Sequence, residues 1–337
     1  GIPDSVASRG LGDVYKRQVL DNIEGRVVDA PLEGATVFID FNDDGHQDSD
    51  EYSVLTDANG YFAMPQVSSE EPRDRKIVAI GGTDAASGVV LSNFLLAANL
   101  PADPADRTMI TPLSHVLKPP GGVSSSESQD RIWVALGLDS NIDILTTDFW
   151  SDALDGDEEA KEVQRINQQI AIILQAYAAA KCGEEDCFVY DFGYTLHSHF
   201  SDQAMQTEID LTNPELISQL FSQDDNSELS PSEWLAIAEA IAMLNTLVGS
   251  DTLDPTSPIS SLTIAGTVQS DVITSVAALR DAEITIADFT SQTTPQALFG
   301  SIPVASEDPD NDQDGLPDVF DPDDDNDTVR DLSLIHI

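Results

Sequence analysis

The stretch from Phe38 to Glu51, FIDFNDDGHQDSDE, starts as an apolar β pattern and within three residues fills with carboxylates. A half-buried strand needs polar side chains at alternate positions, but nothing in that alternation calls for acids. The spacing gives a reason for them. Asp40, Asn42 and Asp44 stand at positions 1, 3 and 5 of a loop, Gly45 at 6, Asp48 at 9 and Glu51 at 12. That is the D-x-[DN]-x-[DN]-G-x5-E pattern of a calcium loop. Calcium takes roughly six to eight hard oxygens, and alternating side chains of a curled loop point to its centre. The glycine permits the sharp turn, the backbone carbonyl of His46 takes position 7, and Glu51 offers two oxygens at the close. The competing reading is an acidic hairpin loop that holds no metal.

The surroundings of this loop read as β. EGRVVDA, GATVFIDF, YSVLT, GYFAMP and KIVAIGG are short runs rich in Val, Ile, Phe, Tyr and Thr, separated by Gly, Pro, Asn and Asp. Asn59-Gly60 between VLTD and YFAM predicts a hairpin, because both residues tolerate the positive φ of a type I′ turn. Strands this short at this spacing predict a small antiparallel sandwich over residues 19–91.

The same residues carry a family resemblance. GRVVDAPLEGATVFIDFNDDGHQDSDEYSVLTDANGYFAM resembles the B-type repeat domains of bacterial surface adhesins of the SdrD/Cna kind. The shared features are a strand, an acidic loop ending in Glu, and then Thr56-Asp57-Ala58-Asn59-Gly60-Tyr61-Phe62. The resemblance implies a prealbumin-like β-sandwich rigidified by calcium. Some such domains carry a Lys–Asn isopeptide bond. The first strand here offers Arg26 and no lysine, so that bond is not expected. The stretch from Gly81 to Leu117 also resembles the segment that follows B-like modules in large exported proteins of marine bacteria.

A second acidic cluster lies near the end of the chain, in DPDNDQDGLPDVFDPDDDNDT. Asp310, Asp312 and Asp314 take positions 1, 3 and 5 and Gly315 takes 6. Leu316 offers the carbonyl at 7, with Asp318 at 9 and Asp321 at 12. Asp323, Asp325 and Asp327 begin another alternation, with Thr328 where glycine would stand. This stretch resembles thrombospondin type 3 repeats, in which bound calcium ions stand in for a hydrophobic core. The alternative is an acidic linker.

Charge narrows the partners. The chain has 15 Lys and Arg against 61 Asp and Glu, a formal net charge of −46. Phosphate binding needs clustered basic residues, so nucleic acid and anionic membrane are excluded as partners on these counts. Cations are the natural ones. With 41% hydrophobic residues the chain can bury real cores, and no apolar run is long enough to span a membrane. Cys182 and Cys187 in KCGEEDC make a disulfide or free thiols. Two ligands fall short of the four that zinc usually takes.

The region from 92 to 300 reads as mainly helical. TMITPLSHVL, residues 108–117, is expected to open it. Asp157 caps EEAKEVQRINQQIAIILQAYAAAK, whose Val163, Ile166, Ile170, Ile173, Leu174 and Tyr177 share a face. Ser230-Pro231-Ser232-Glu233 is a capping box with proline at N1, NPELISQLF is a shorter helix, and 259–289 is expected to be helical. His197-Ser198-His199 places two imidazoles on different faces of either a strand or a helix, so a solvated pair is expected. No HExxH, GxSxG or P-loop is present, and no catalytic residue is assigned.

Both ends stand apart. Ser8–Gln18 and Leu332–Ile337 resemble the translation of a sequencing adapter and of its reverse complement, and residues 1–18 and 332–337 are set aside from fold reasoning. On that reading the natural protein continues past both ends, with its signal and anchor outside the fragment.

Three segments are therefore expected: a prealbumin-like sandwich over 19–91, a mainly helical region over 92–300, and a calcium-repeat segment over 301–331. The corresponding function is that of a calcium-stiffened, non-catalytic part of a secreted or surface adhesin, with calcium and an unassigned surface ligand as partners. The alternative is an accessory region of a secreted hydrolase. A dockerin would need two calcium loops in close tandem, each beside a helix.

Overall fold

The computed structural model describes residues 22–65, 76–85, 87–100, 106–117, 126–138, 142–182, 192–203, 209–222, 229–249 and 261–299. It mixes helix with several small sheets. The strands come first. They are β1 (Ile23–Val27), β2 (Leu32–Glu33), β3 (Thr36–Asp40), β4 (Ser53–Leu55), β5 (Tyr61–Met64), β6 (Lys76–Ile80), β7 (Thr83–Asp84), β8 (Leu95–Asn99) and β9 (Thr108–Ile110). One sheet has the order β4-β3-β6-β8, all antiparallel, and a second has the order β5-β1-β9. β2 and β7 form a two-stranded ribbon.

All five runs singled out for their β-branched and aromatic content contain a strand. β3, β6 and β8 are buried on both faces, which is why they read as continuous apolar runs. β5 alternates exposed and buried, as a strand with one solvated face should.

Three local expectations are corrected. Thr108–Ile110 is a strand, and helix begins only at Pro112. That strand pairs with β1 in parallel, Gly25 opposite Thr108, so the smaller sheet is mixed and not wholly antiparallel. β8 and β9 lie past residue 91, and every other described element of the stretch read as mainly helical is a helix. Finally, Asn59-Gly60 does not close a hairpin, because β4 and β5 belong to different sheets. Asp57 Oδ1 accepts the N–H groups of Asn59 and Tyr61, each at 2.9 Å, and this Asx turn leaves only Gly60 left-handed, at φ 77°. A Cβ at Gly60 would meet the Val27 carbonyl at 2.5 Å.

The helices follow: α1 (Pro112–Leu117), α2 (Ser126–Ala135), α3 (Phe149–Leu154), α4 (Glu158–Lys181), α5 (Phe192–Gln203), α6 (Pro214–Phe221), α7 (Pro231–Gly249), α8 (Ser261–Arg280), α9 (Ile286–Gln292) and α10 (Pro295–Phe299). Their starts sit where the caps predict. Asp157 accepts from Ala160 N–H at α4, and Ser230 with Glu233 closes the box at α7. Asn213 caps α6.

Strands and helices share one core. A continuous cluster of buried side chains runs from Val27, Ile77 and Leu96 through Leu113 and Ile166 to Val276 and Phe289. Buried amides fix α4 within it. Gln164 donates to the Asp29 carbonyl, Asn167 accepts from Leu113 N–H at 2.9 Å, and Gln169 donates to the Asn245 carbonyl at 2.8 Å. Each of these three amides thereby keeps a partner, and the pairings set the helix's register on the sheets. Arg26, buried in β1, reaches α3 through Asp148 at 2.7 Å and Ser151 at 2.9 Å.

Candidate metal centre

The acidic loop leaves β3 at Asp40 and ends at Glu51, just before β4. Asp40 is 2% exposed and its carboxylate turns back under the loop. Oδ1 accepts the N–H groups of Asp43 at 2.6 Å and Asp44 at 3.3 Å, and Oδ2 accepts that of Gly45 at 2.9 Å. Wrapping consecutive N–H groups round one carboxylate demands left-handed backbone, found at Asp43 (φ 61°) and Gly45 (φ 75°). Glu51 is also buried. Its Oε1 accepts from Phe41 N–H at 2.6 Å and its Oε2 from Asp48 N–H at 2.9 Å, so one carboxylate ties the loop's start to its return.

The other three side-chain positions form an exposed rim. Asn42 Nδ2 donates to Asp44 Oδ2 at 2.9 Å and to Asp48 Oδ2 at 3.0 Å, holding two carboxylates that would otherwise repel. Asp44 Oδ1 accepts from His46 N–H at 2.8 Å. His46 is exposed, and only its carbonyl has a part in the sequence pattern. Lys76, on β6, lies 2.6 Å from Asp43 Oδ1. Neither Lys76 nor Asp43 belonged to the sequence-derived ligand set. The cross-strand pairing of Asp40 with Lys76 is what brings them in, and it is non-local.

The loop thus gathers Asp40, Asn42, Asp44, Asp48 and Glu51 in one place, in two tiers. Among the described residues, no three His, Cys, Asp or Glu side chains stand grouped to hold a metal ion. The hydrogen bonds account for this, since the two buried carboxylates face backbone N–H groups and the rim carboxylates face the Asn42 amide. Ligating capacity remains. Each carboxylate oxygen has two lone pairs, and Asp40 Oδ2 and both Glu51 oxygens are shown with one N–H apiece. The donor set is all hard oxygen with one amide, which suits calcium and not a soft or nitrogen-seeking metal.

Asp310, Asp312, Asp314, Leu316, Asp318, Asp321, Asp323, Asp325 and Asp327 lie outside the described residues.

The solvated histidine pair is corrected. His197 and His199 lie on α5, and His197 is 7% exposed with Nδ1 3.0 Å from the Val116 carbonyl oxygen. Burial lowers its pKa, opposed by that hydrogen bond. Burial likewise lowers the pKa of His199, opposed by Asp202. The apolar flanks Leu196 and Phe200 were the available signal that this part of α5 is packed inside. Cys182 is disulfide-bonded and no free cysteine is found among the described residues. No helix of the described residues is long and apolar enough to cross a membrane. Compared with family models, with curated proteins and with solved structures, the chain matches none.

Proposed function

We propose that this chain is a calcium-binding, non-catalytic structural part of a large secreted or cell-surface bacterial protein, serving adhesion or as a stalk. The observation that carries this reading is the loop between β3 and β4, which collects the five side chains of the calcium pattern within hydrogen-bonding reach of one another or of the loop backbone. Calcium there would be held by Asp40, Asn42, Asp44, Asp48 and Glu51 with the His46 carbonyl. Its role is electrostatic: it offsets the repulsion among carboxylates and ties β3 to β4. Like charges a few ångströms apart repel by about 1 kcal/mol per pair even in water, so a bound cation feeds directly into folding.

The finer architecture belongs to the same proposal. The strand-bearing part is a prealbumin-like sandwich of the adhesin B type, and the 301–331 segment is a thrombospondin type 3-like repeat that binds further calcium. One feature supports an extracellular setting. Disulfides persist in oxidising compartments, and Cys182 is disulfide-bonded. In that setting calcium would be taken up at the roughly 10⁻⁴–10⁻³ M typical of extracellular calcium modules.

Isothermal titration of the full chain with calcium and with magnesium tests the reading. Saturable calcium uptake that Asp44→Ala and Asp314→Ala each reduce supports it. Heat no larger than for dilution into buffer refutes it.

A further inference from the structure

Three of the five histidines in the chain stand on α1 and α5, two helices that pack together. Their seam is tight. His115 on α1 is buried, and a Cβ at Gly193 in the first turn of α5 would meet its Nε2 at 2.5 Å. One turn further along α5, His197 is buried with Nδ1 3.0 Å from the Val116 carbonyl oxygen. A carbonyl only accepts, so in the neutral ring Nδ1 carries the hydrogen and Nε2 the lone pair. On another face of the helix, Nε2 of half-buried His199 is sealed from solvent and has no hydrogen-bond partner.

α5 is fastened less firmly than α4. Three buried amides tie α4 to Asp29, Leu113 and Asn245. Among the described residues, the bond from His197 to Val116 is the only hydrogen bond that joins α5 to another element. The remaining attachment is apolar. Phe192, Leu196 and Phe200 are buried, and the Phe192 ring stacks on that of Tyr177 of α4 at 3.7 Å. The one polar tether of the helix is therefore a titratable ring.

A proton changes its standing. Charged His197 still donates at Nδ1 but gains an N–H at Nε2, in a position that burial has stripped of water. Charged His199 needs an acceptor at both nitrogens, and its Nε2 has none. Once α5 leaves the seam both rings reach water, so protons favour the released form.

The surrounding charges do not offset this. α1 has no titratable side chain besides His115, and α4 meets the start of α5 with Tyr177, which is neutral near pH 6. α2 contributes Asp130 and Arg131 among its described side chains, α6 contributes Glu215, and α5 itself Asp202. Among the described residues Asp202 acts on His199, and burial outweighs it; no charge acts on His197, where burial outweighs the Val116 hydrogen bond. Both folded pKa values lie below the ordinary 6.5, so the attachment is complete above 6.5 and weakens as pH falls below it.

We propose that α5 is an acid-released latch: protonation of His197 and His199 frees it from α1 while α4, α7 and the sheets hold, and uncovers the apolar strip of Phe192, Leu196 and Phe200. The latch makes no use of the acidic loop and stands or falls without calcium.

Hydrogen exchange of the full chain tests it, read by mass spectrometry at pH 7.5 and 5.5 and corrected for the intrinsic pH dependence of amide exchange. Residues 192–203 should exchange several-fold faster at pH 5.5, while 158–181 and 231–249 keep their protection. With His197→Gln and His199→Gln combined, which leaves no proton to take up, the corrected rate in 192–203 should be the same at both pH values. Should that pair fail to fold, His199→Gln alone, at a half-buried position, should show a smaller acceleration than the parent. Unchanged protection of 192–203 at pH 5.5, a loss shared equally by α4 and α7, or the parent's acceleration in the variant overturns the proposal.

Discussion

Lys76 stands opposite Asp40 in the β3–β6 register, and its ammonium rests 2.6 Å from Oδ1 of Asp43 inside the acidic loop. The chain therefore supplies a cation of its own to a loop crowded with carboxylates. The Lys76 side chain is 6% exposed and that of Asp43 is 30% exposed, so this is a partly desolvated pair and not a surface contact.

Two opposite consequences follow for Lys76→Met. Without calcium, Asp43 loses its counter-charge, and the fold should weaken by on the order of 1–2 kcal/mol, moderated by the access of Asp43 to water. With calcium, a competing positive charge is gone and affinity should rise several-fold. Titration calorimetry on the variant checks the second consequence and urea unfolding in chelator checks the first. Affinity that stays the same or falls would place the metal away from this loop.

A pH dependence follows from α5. Burial lowers the pKa of His197 and of His199 from the ordinary 6.5, with the Val116 carbonyl and Asp202 acting weakly the other way. A histidine whose folded pKa is depressed stabilises the fold fully above its unfolded pKa. That stability is lost as pH falls through 6.5 toward the folded value, because the unfolded chain takes up the proton first. The melting temperature should therefore fall between pH 7.5 and 5. His197→Gln should flatten that fall, and a slope equal to the parent's would show that His197 does not carry it.

Asp29 works in the opposite sense. It is fully buried, and burial, with Asp84 adding to it, holds its pKa well above the usual carboxylate value. A raised acid pKa favours the fold below the unfolded value and costs stability as pH rises through the folded one. Asp29→Asn keeps an acceptor for Gln175 and removes that cost. Its melting temperature should exceed the parent's at pH 8 and converge with it near pH 4. A variant less stable at pH 8 would mean that the carboxylate itself is required.

Gly25 tests the parallel pairing. A Cβ there would meet the Thr108 carbonyl oxygen at 2.2 Å and Phe62 Cζ at 2.4 Å, backbone on one side and a packed ring on the other. Gly25→Ala should cost about 2–3 kcal/mol in urea unfolding, the scale of overpacking in a core. A cost near zero would mean that β9 does not lie against β1.

What the sequence makes legible divides along local and non-local lines. Asp157 and Ser230 announce α4 and α7 because a cap acts within three residues of itself. The calcium pattern is equally local, with Asp40 and Glu51 only eleven positions apart in one loop. β9 was missed for the opposite reason. Three residues are too few to show a period of two, and the strand's partner is β1, at the other end of the β region. The Asn59-Gly60 turn misled because the dipeptide reports local φ preference and not the sheet to which the next strand goes. The seam between α1 and α5 has no sequence signature, because its one hydrogen bond joins Val116 to His197, 81 positions away.

The most direct test of the calcium account is a thermal melt of the full chain in millimolar calcium, in magnesium and in chelator. A ligand at about a hundred times its Kd stabilises by about 2.7 kcal/mol. Calcium should therefore raise the melting temperature by several degrees while magnesium, which demands a tighter octahedral site, does little. Glu51→Gln should lose part of that gain. Melting curves that coincide in calcium and in chelator would contradict the account and leave the carboxylates as solvated charge.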